Sequence, residues 1–291
     1  MRVMFTWLVA LLTLQVHAGQ SMVSTEYADA KGNQQRLEMR VMTPDSTSPD
    51  GKRPAVVILH HAGGWRDQTT AQYAKALNAA GFITLEPVLF NEKPLPSHIV
   101  VPMVFGALKY ARNRPDVFPT KIGVMGLSMG AQQSIYAISE WATKTYGEGA
   151  QFASALALYP GCWIMRDYYK NDLGRFKNPN YPEDFLHRFI DVPLTILAAG
   201  KDDYDSRKAN TCQQMVELVP DETQRTLTKV EVFKDATHGW DHGRTYSFQT
   251  PFANEGRGGT NTNVFDPAIT QLSQEKAVQF FKATLLRNDK L

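Results

Sequence analysis

The sequence predicts an α/β architecture: a doubly wound, mostly parallel sheet flanked by helices. Three observations predict it. Continuous short apolar runs, the mark of strands covered on both faces, recur along the chain at Ala55 to Leu59, Phe82 to Leu85, Ile122 to Met125, Phe152 to Leu158, Leu194 to Ala199 and Val230 to Phe233. Segments of helical period lie between them. The residues suited to chemistry fall just after predicted strands, where ligands bind in such sheets.

The chain opens MRVMFTWLVALLTLQVHAGQ, with one arginine, an apolar run from Val3 to Leu14, and Val16 and Ala18 at the −3 and −1 positions of a cleavage site. This is the pattern of a secretory signal peptide over residues 1–18, and the run is short for a bilayer span. The expectation is therefore an exported protein, periplasmic or secreted, with one domain over residues 19–291. No later stretch is long and apolar enough for an integral membrane span. A net charge of +2 without any Lys/Arg stripe gives nucleic acid no footing as a partner.

Taken in order, residues 22–43 alternate around Gly32-Asn33 and predict a hairpin of edge strands. The Ala55–Leu59 strand leads into His60-His61-Ala62-Gly63-Gly64-Trp65. Tyr73, Ala76, Leu77 and Ala80 share a helical face that Gly81 terminates, and Phe82 to Leu85 is the next strand. Val101, Val104, Phe105 and Leu108 repeat at helical spacing before the strand at Ile122. Residues 162–191 are polar and aromatic without a sustained period, which predicts an irregular insertion or lid. Its aromatics (Trp163, Tyr168, Tyr169, Phe176, Tyr181, Phe185, Phe189) suit either an acyl pocket or the insertion's own packing. Cys212, Met215, Val216 and Val219 mark a helix, Val230 to Phe233 the last clear strand, and residues 241–266 a second irregular stretch. Ala277, Phe280, Phe281 and Leu285 lie on one face of a closing helix.

The chain is organised around Gly126-Leu127-Ser128-Met129-Gly130, a G-x-S-x-G motif between a predicted strand and a predicted helix. A serine there sits on a strained turn at a helix N-terminus, where glycines leave room for neighbouring backbone. Ser128 is the expected nucleophile. A hydroxyl needs a base, and the base an orienting acid, in the chain order Ser, Asp or Glu, His. Asp202, Asp203 and Asp205 follow one strand and His238 follows the next, in that order. His238 is the expected base. Of the adjacent Asp202 and Asp203 only one is expected to point at His238, and Asp205 is a remote third. The oxyanion donors expected are the backbone N–H of Met129 and one from the loop after Leu59, Ala62 before Gly63. His60-His61 is a bare doublet and weak as a metal signal, so neither a metal nor an organic cofactor is expected.

VVILHHAGG, GLSMG, LALYPGCW, LAAGKDDYDS and DATHGWD together resemble the dienelactone hydrolase family, members of the α/β-hydrolase fold, from about Lys52 to the final helix. The resemblance implies that Ser128, Asp202 and His238 occupy triad positions and that Ala62 and Met129 occupy oxyanion positions. The Asp-Asp-Tyr match is what favours Asp202. The chain departs from the family in having Ser128 where the namesake enzymes carry Cys, His61 where relatives usually have Gly, and Val88 where they often carry Asp. Relatives with cysteines at the positions of Cys162 and Cys212 imply a disulfide at the root of the insertion. The reading is an exported serine hydrolase acting on a small-molecule carboxylic ester; an amide or peptide hydrolase, or a non-catalytic binding protein, are the alternatives.

Overall fold

The computed structural model describes residues 19–45, 48 and 50–286. The signal-peptide expectation falls on residues 1–18, outside the described residues. An eight-stranded sheet runs in the order β1-β2-β4-β3-β5-β6-β7-β8. Strands β1 (Gly19–Ala28) and β2 (Gln34–Thr43) form the antiparallel hairpin around Gly32. Of the hairpin's two strands only β1 lies at the sheet edge, because β2 also pairs antiparallel with β4 (Ile83–Pro87). From there β3 (Arg53–Leu59), β5 (Val117–Leu127), β6 (Ser154–Leu158), β7 (Leu194–Ala199) and β8 (Thr228–Phe233) continue in parallel. This mostly parallel sheet with helices on both faces is the α/β-hydrolase fold.

The two faces explain why the central strands lack alternation. Val56 and Ile58 pack against Tyr73 and Leu77 of α1 (Thr70–Ala79) and, farther along that face, Ala277 and Phe281 of the closing helix. Ala55, Val57 and Leu59 face the opposite cluster, which includes Val101, Val104, Phe105 and Leu108 of α2 (Ser97–Arg112) and Ala131 and Ile135 of α3 (Met129–Tyr136). Strands β4 and β6 are buried at every position. Burial on both faces favours apolar side chains there, and the charged exception, Glu86 of β4, is ion-paired with Arg40 of β2.

Two expected irregular stretches contain regular structure. The 162–191 insertion begins with helix α5 (Trp163–Tyr169). Its helical period is masked because one of its inward residues is Arg166, buried in ion pairs with Asp167 and Glu255. Residues 241–266 hold a hairpin of β9 (Tyr246–Thr250) and β10 (Gly259–Asn263), so Val230–Phe233 is not the last strand. Polar side chains bind across it, Ser247 to Thr262 and Gln249 to Thr260, and β10 buries Asn261 and Asn263 rather than apolar residues. A strand of that kind carries no apolar alternation to read.

Short helices α4 (Glu140–Tyr146) and α7 (Glu222–Leu227) are capped by Ser139 and Asp221, whose side chains accept from Ala142 and Gln224 N–H. Helix α6 (Thr211–Glu217) carries Cys212, the turn α8 (Ala253–Gly256) lies between β9 and β10, and α9 (Pro267–Leu285) closes the chain. Among the described residues no helix is long and apolar enough to cross a membrane.

Candidate active site

Strand β5 delivers Ser128 into a turn with φ 52° and ψ −114°, a conformation that costs of order 1–3 kcal/mol and that the surrounding fold must impose. The motif's glycines permit it. A Cβ at Gly126 would lie 2.0 Å from the Gly130 carbonyl oxygen, and one at Gly130 would lie 2.4 Å from that of Leu59. The turn therefore closes only when both are bare, and Gly130 lets α3 press against the end of β3.

Ser128 Oγ lies 2.7 Å from His238 Nε2, and His238 Nδ1 lies 2.8 Å from Asp202 Oδ2. With Nδ1–H donating to the carboxylate, Nε2 is left to accept the serine proton. The Tyr204 N–H donates to the other oxygen of Asp202. His238 is held between two rings, Tyr159 edge-on at 4.9 Å and Tyr204 tilted at 4.4 Å.

The three aspartates of the acid loop have three separate partners. Asp202 meets the histidine. Asp203 accepts from Arg207 Nε and from the Thr262 N–H of β10. Asp205 accepts from the Cys162 and Trp163 N–H groups at the root of the insertion. Burial, with the Asp202 charge beside it, pushes the Asp205 carboxyl up to about 8.

Ala62, Ser128, Met129 and His238 line one cavity. Met129 is the first residue of α3, so its N–H has no acceptor within the helix and is open to an incoming oxygen. The loop carrying Ala62 is fixed by its two histidines. His60 Nδ1–H donates to the His61 carbonyl and Nε2 accepts from Leu89 N–H. Burial lowers its pKa to about 4, keeping it neutral. His61 Nδ1 accepts from Gly63 N–H, while Nε2–H faces Asp67 and Thr69. The doublet's nitrogens are thus spent on separate partners rather than aimed at one point. The one group of His, Cys, Asp or Glu ligand atoms close enough to share a metal, among the described residues, is Cys162, Asp205 and Cys212, whose two sulfurs are bonded to each other.

A model of the dienelactone hydrolase family matches residues 37–285. The chain belongs to the dienelactone hydrolase family. Among solved structures, esterase 2 of Thermogutta terrifontis, phosphoramylated by tabun, is similar at 12% identity and TM-score 0.63, covering 92% of this chain and 97% of that one. A bacterial heroin esterase is similar at 14% identity and TM-score 0.62, covering 93% and 86%. Est1E from Butyrivibrio proteoclasticus is similar at 13% identity and TM-score 0.59, covering 91% and 99%. At such identities they speak for the fold. No curated protein sequence matches the chain.

In this family member the disulfide implied by the resemblance is present, joining Cys162 to Cys212 with Cα atoms 5.0 Å apart. It ties the root of the insertion to α6. Of the insertion's aromatics, Tyr168, Tyr181 and Phe185 line the cavity and also pack on one another, whereas Phe189 is turned into the core.

Sequence reasoning passed over a second polar layer behind the site. Asp241 is buried and accepts from Tyr73 and Tyr159 hydroxyls, both at 2.6 Å. His242 stacks on His61 with ring centroids 4.1 Å apart, and burial lowers its pKa to about 2. This stack joins the Ala62 loop to the His238 loop. The only signal for it in the sequence is the polar pair Asp241-His242, three and four residues after His238, in a stretch that reads as loop.

Proposed function

We propose that this hydrolase cleaves carboxylic esters through an acyl-enzyme intermediate on Ser128, outside the cytoplasm. The observation that carries the reading is the continuous hydrogen-bond path from Ser128 Oγ through His238 to Asp202. His238 Nε2 takes the serine proton as Oγ attacks the acyl carbon, and Asp202 holds the imidazole in the tautomer that can receive it. The Met129 and Ala62 N–H groups stabilise the oxyanion, a role typically worth about 2.7–4 kcal/mol for one donor. His238 then protonates the leaving alcohol, and water, deprotonated by the same nitrogen, releases the acid. Esterases among the structural neighbours and the family's hydrolase chemistry support an ester as substrate. The bridged cysteines and the N-terminal pattern of residues 1–18 support export.

The test is turnover of p-nitrophenyl acetate and butyrate beside matched p-nitroanilides, by the wild type and Ser128→Ala. Ester turnover that disappears in the variant is expected. Anilide turnover exceeding ester turnover would replace the reading with an amide hydrolase. N-terminal sequencing of the exported protein should begin at Gly19.

A further inference from the structure

The cavity over Ser128 is large, about 940 Å³. Small-molecule sites span roughly 300–1,000 Å³, so an acetyl group would leave most of this one unfilled. Its deep wall is aromatic. Tyr136 of α3 and Tyr181 and Phe185 of the insertion are each buried and meet edge to face or tilted, with Tyr136–Phe185 centroids 5.3 Å apart and Tyr181–Phe185 at 4.5 Å. Trp141 braces Tyr181 from behind at 5.1 Å. Ring packing of this kind fixes the wall in advance of any ligand.

The distribution of charge is as informative as the volume. The charged residues lining the cavity are Arg175, Lys177 and Glu183, all exposed at the rim. Lys177 pairs with Glu183, and Arg175 donates to the Gly256 carbonyl and lies over the Phe176 ring. Among the described lining residues, no Asp, Glu, Lys or Arg is buried. A charged group carried inward would lose its hydration and gain no counter-charge.

We infer that the cavity selects neutral esters bearing one large apolar group, either a long chain or fused aryl rings; this rests on the ester-hydrolase reading above. Small esters leave apolar wall wet, and anionic esters of the same length are rejected by desolvation. Each methylene buried should raise kcat/KM roughly fourfold while space remains.

The experiment measures kcat/KM for p-nitrophenyl acetate, octanoate, benzoate and 2-naphthoate, and for the p-nitrophenyl half-ester of suberic acid, an anion of octanoate's length. A fluorophosphonate titration of Ser128 accompanies it. We expect octanoate or naphthoate to exceed acetate at least about a hundredfold. The suberate half-ester should fall at least about tenfold below octanoate. A rise with octanoate alone assigns a chain, and a rise of naphthoate over benzoate alone assigns fused rings. Ile164→Arg, which places a cation in the wall, should lower the octanoate-to-suberate ratio. A flat or acetate-preferring series, or equal rates for octanoate and the half-ester, with Ser128 still titrated, overturns the inference and leaves the hydrolase reading standing. Ser128 unlabelled and every ester untouched would overturn both.

Discussion

At the scale of single residues, adjacent carboxylates of the acid loop serve different contacts. Asp202 and Asp203 are neighbours, yet one hydrogen-bonds His238 and the other ties the loop to β10. Asp202→Asn should lower kcat by about 10³–10⁴, since an amide donor favours the wrong imidazole tautomer, with little change in melting temperature. Asp203→Asn should do the reverse, costing about 1 kcal/mol in denaturant unfolding while most of the turnover remains, because the part-buried Thr262 N–H and Arg207 lose a charged acceptor. If the two variants exchanged phenotypes, the acid would be Asp203. His61 makes a similar case: its ring holds Gly63 N–H on one edge and Asp67 on the other, beside Ala62, the proposed oxyanion donor. His61→Ala should reduce kcat by about tenfold or more with KM nearly fixed, the signature of an interaction used mainly in the transition state. Ser128 was legible in the sequence because its turn needs glycine on both sides. The choice between Asp202 and Asp203 came from a family match rather than from the residues, since the alternation of side chains along a loop is set by contacts far away in the sequence. His242 could not be found at all, because stacking between two loops leaves no spacing to detect.

At the scale of elements, what could be read depended on whether burial had been achieved with apolar atoms. The central strands and helices α1, α2 and α9 announce themselves by continuous or periodic apolar residues. The β9–β10 hairpin and α5 do not, because hydrogen bonds and ion pairs do the work that side-chain burial does elsewhere. The insertion is secured to the body by such local ties. Asp205 accepts two N–H bonds at its root, and Cys162–Cys212 closes a loop with a sequence separation of 50. Chain-entropy reasoning gives the bridge about 4 kcal/mol. Reduction, or the double variant Cys162→Ser/Cys212→Ser, should therefore lower the melting temperature by about 10 °C. A melting temperature unchanged by reductant, under conditions where thiol titration shows both cysteines free, would mean that Asp205 and the Arg166–Glu255 pair hold the root unaided.

For the molecule as a whole, pH should act through opposed sets of buried groups. His60 and His242 are held neutral by burial, with pKa values lowered from 6.5 to about 4 and about 2. Below 6.5 the unfolded chain binds protons that the folded chain refuses, so their contribution is complete above 6.5 and is lost as pH falls toward those folded values. Asp205 works in the other direction. Its carboxyl is raised from 3.8 to about 8, chiefly by burial, so the folded chain keeps a proton that the unfolded chain releases. Its contribution is complete below 3.8 and is lost as pH rises through 8. Asp241, also raised by burial, tilts the balance the same way as Asp205. Each proton of difference changes stability by about 1.4 kcal/mol per pH unit at most. The two sets can be separated by mutation. Between pH 4 and 8, Asp205→Asn has no proton to lose, so it should gain on the wild type as pH rises, by about 1 kcal/mol per pH unit in denaturant unfolding. His242→Phe should gain on the wild type as pH falls below 6.5, since phenylalanine offers the unfolded chain no proton to bind. Stability curves measured at pH 4.5, 6.5 and 8 that ran parallel for all three proteins would show that these groups titrate alike folded and unfolded. Curves that diverge at opposite ends would assign the acid limb to the layer behind the active site and the alkaline limb to the root of the insertion.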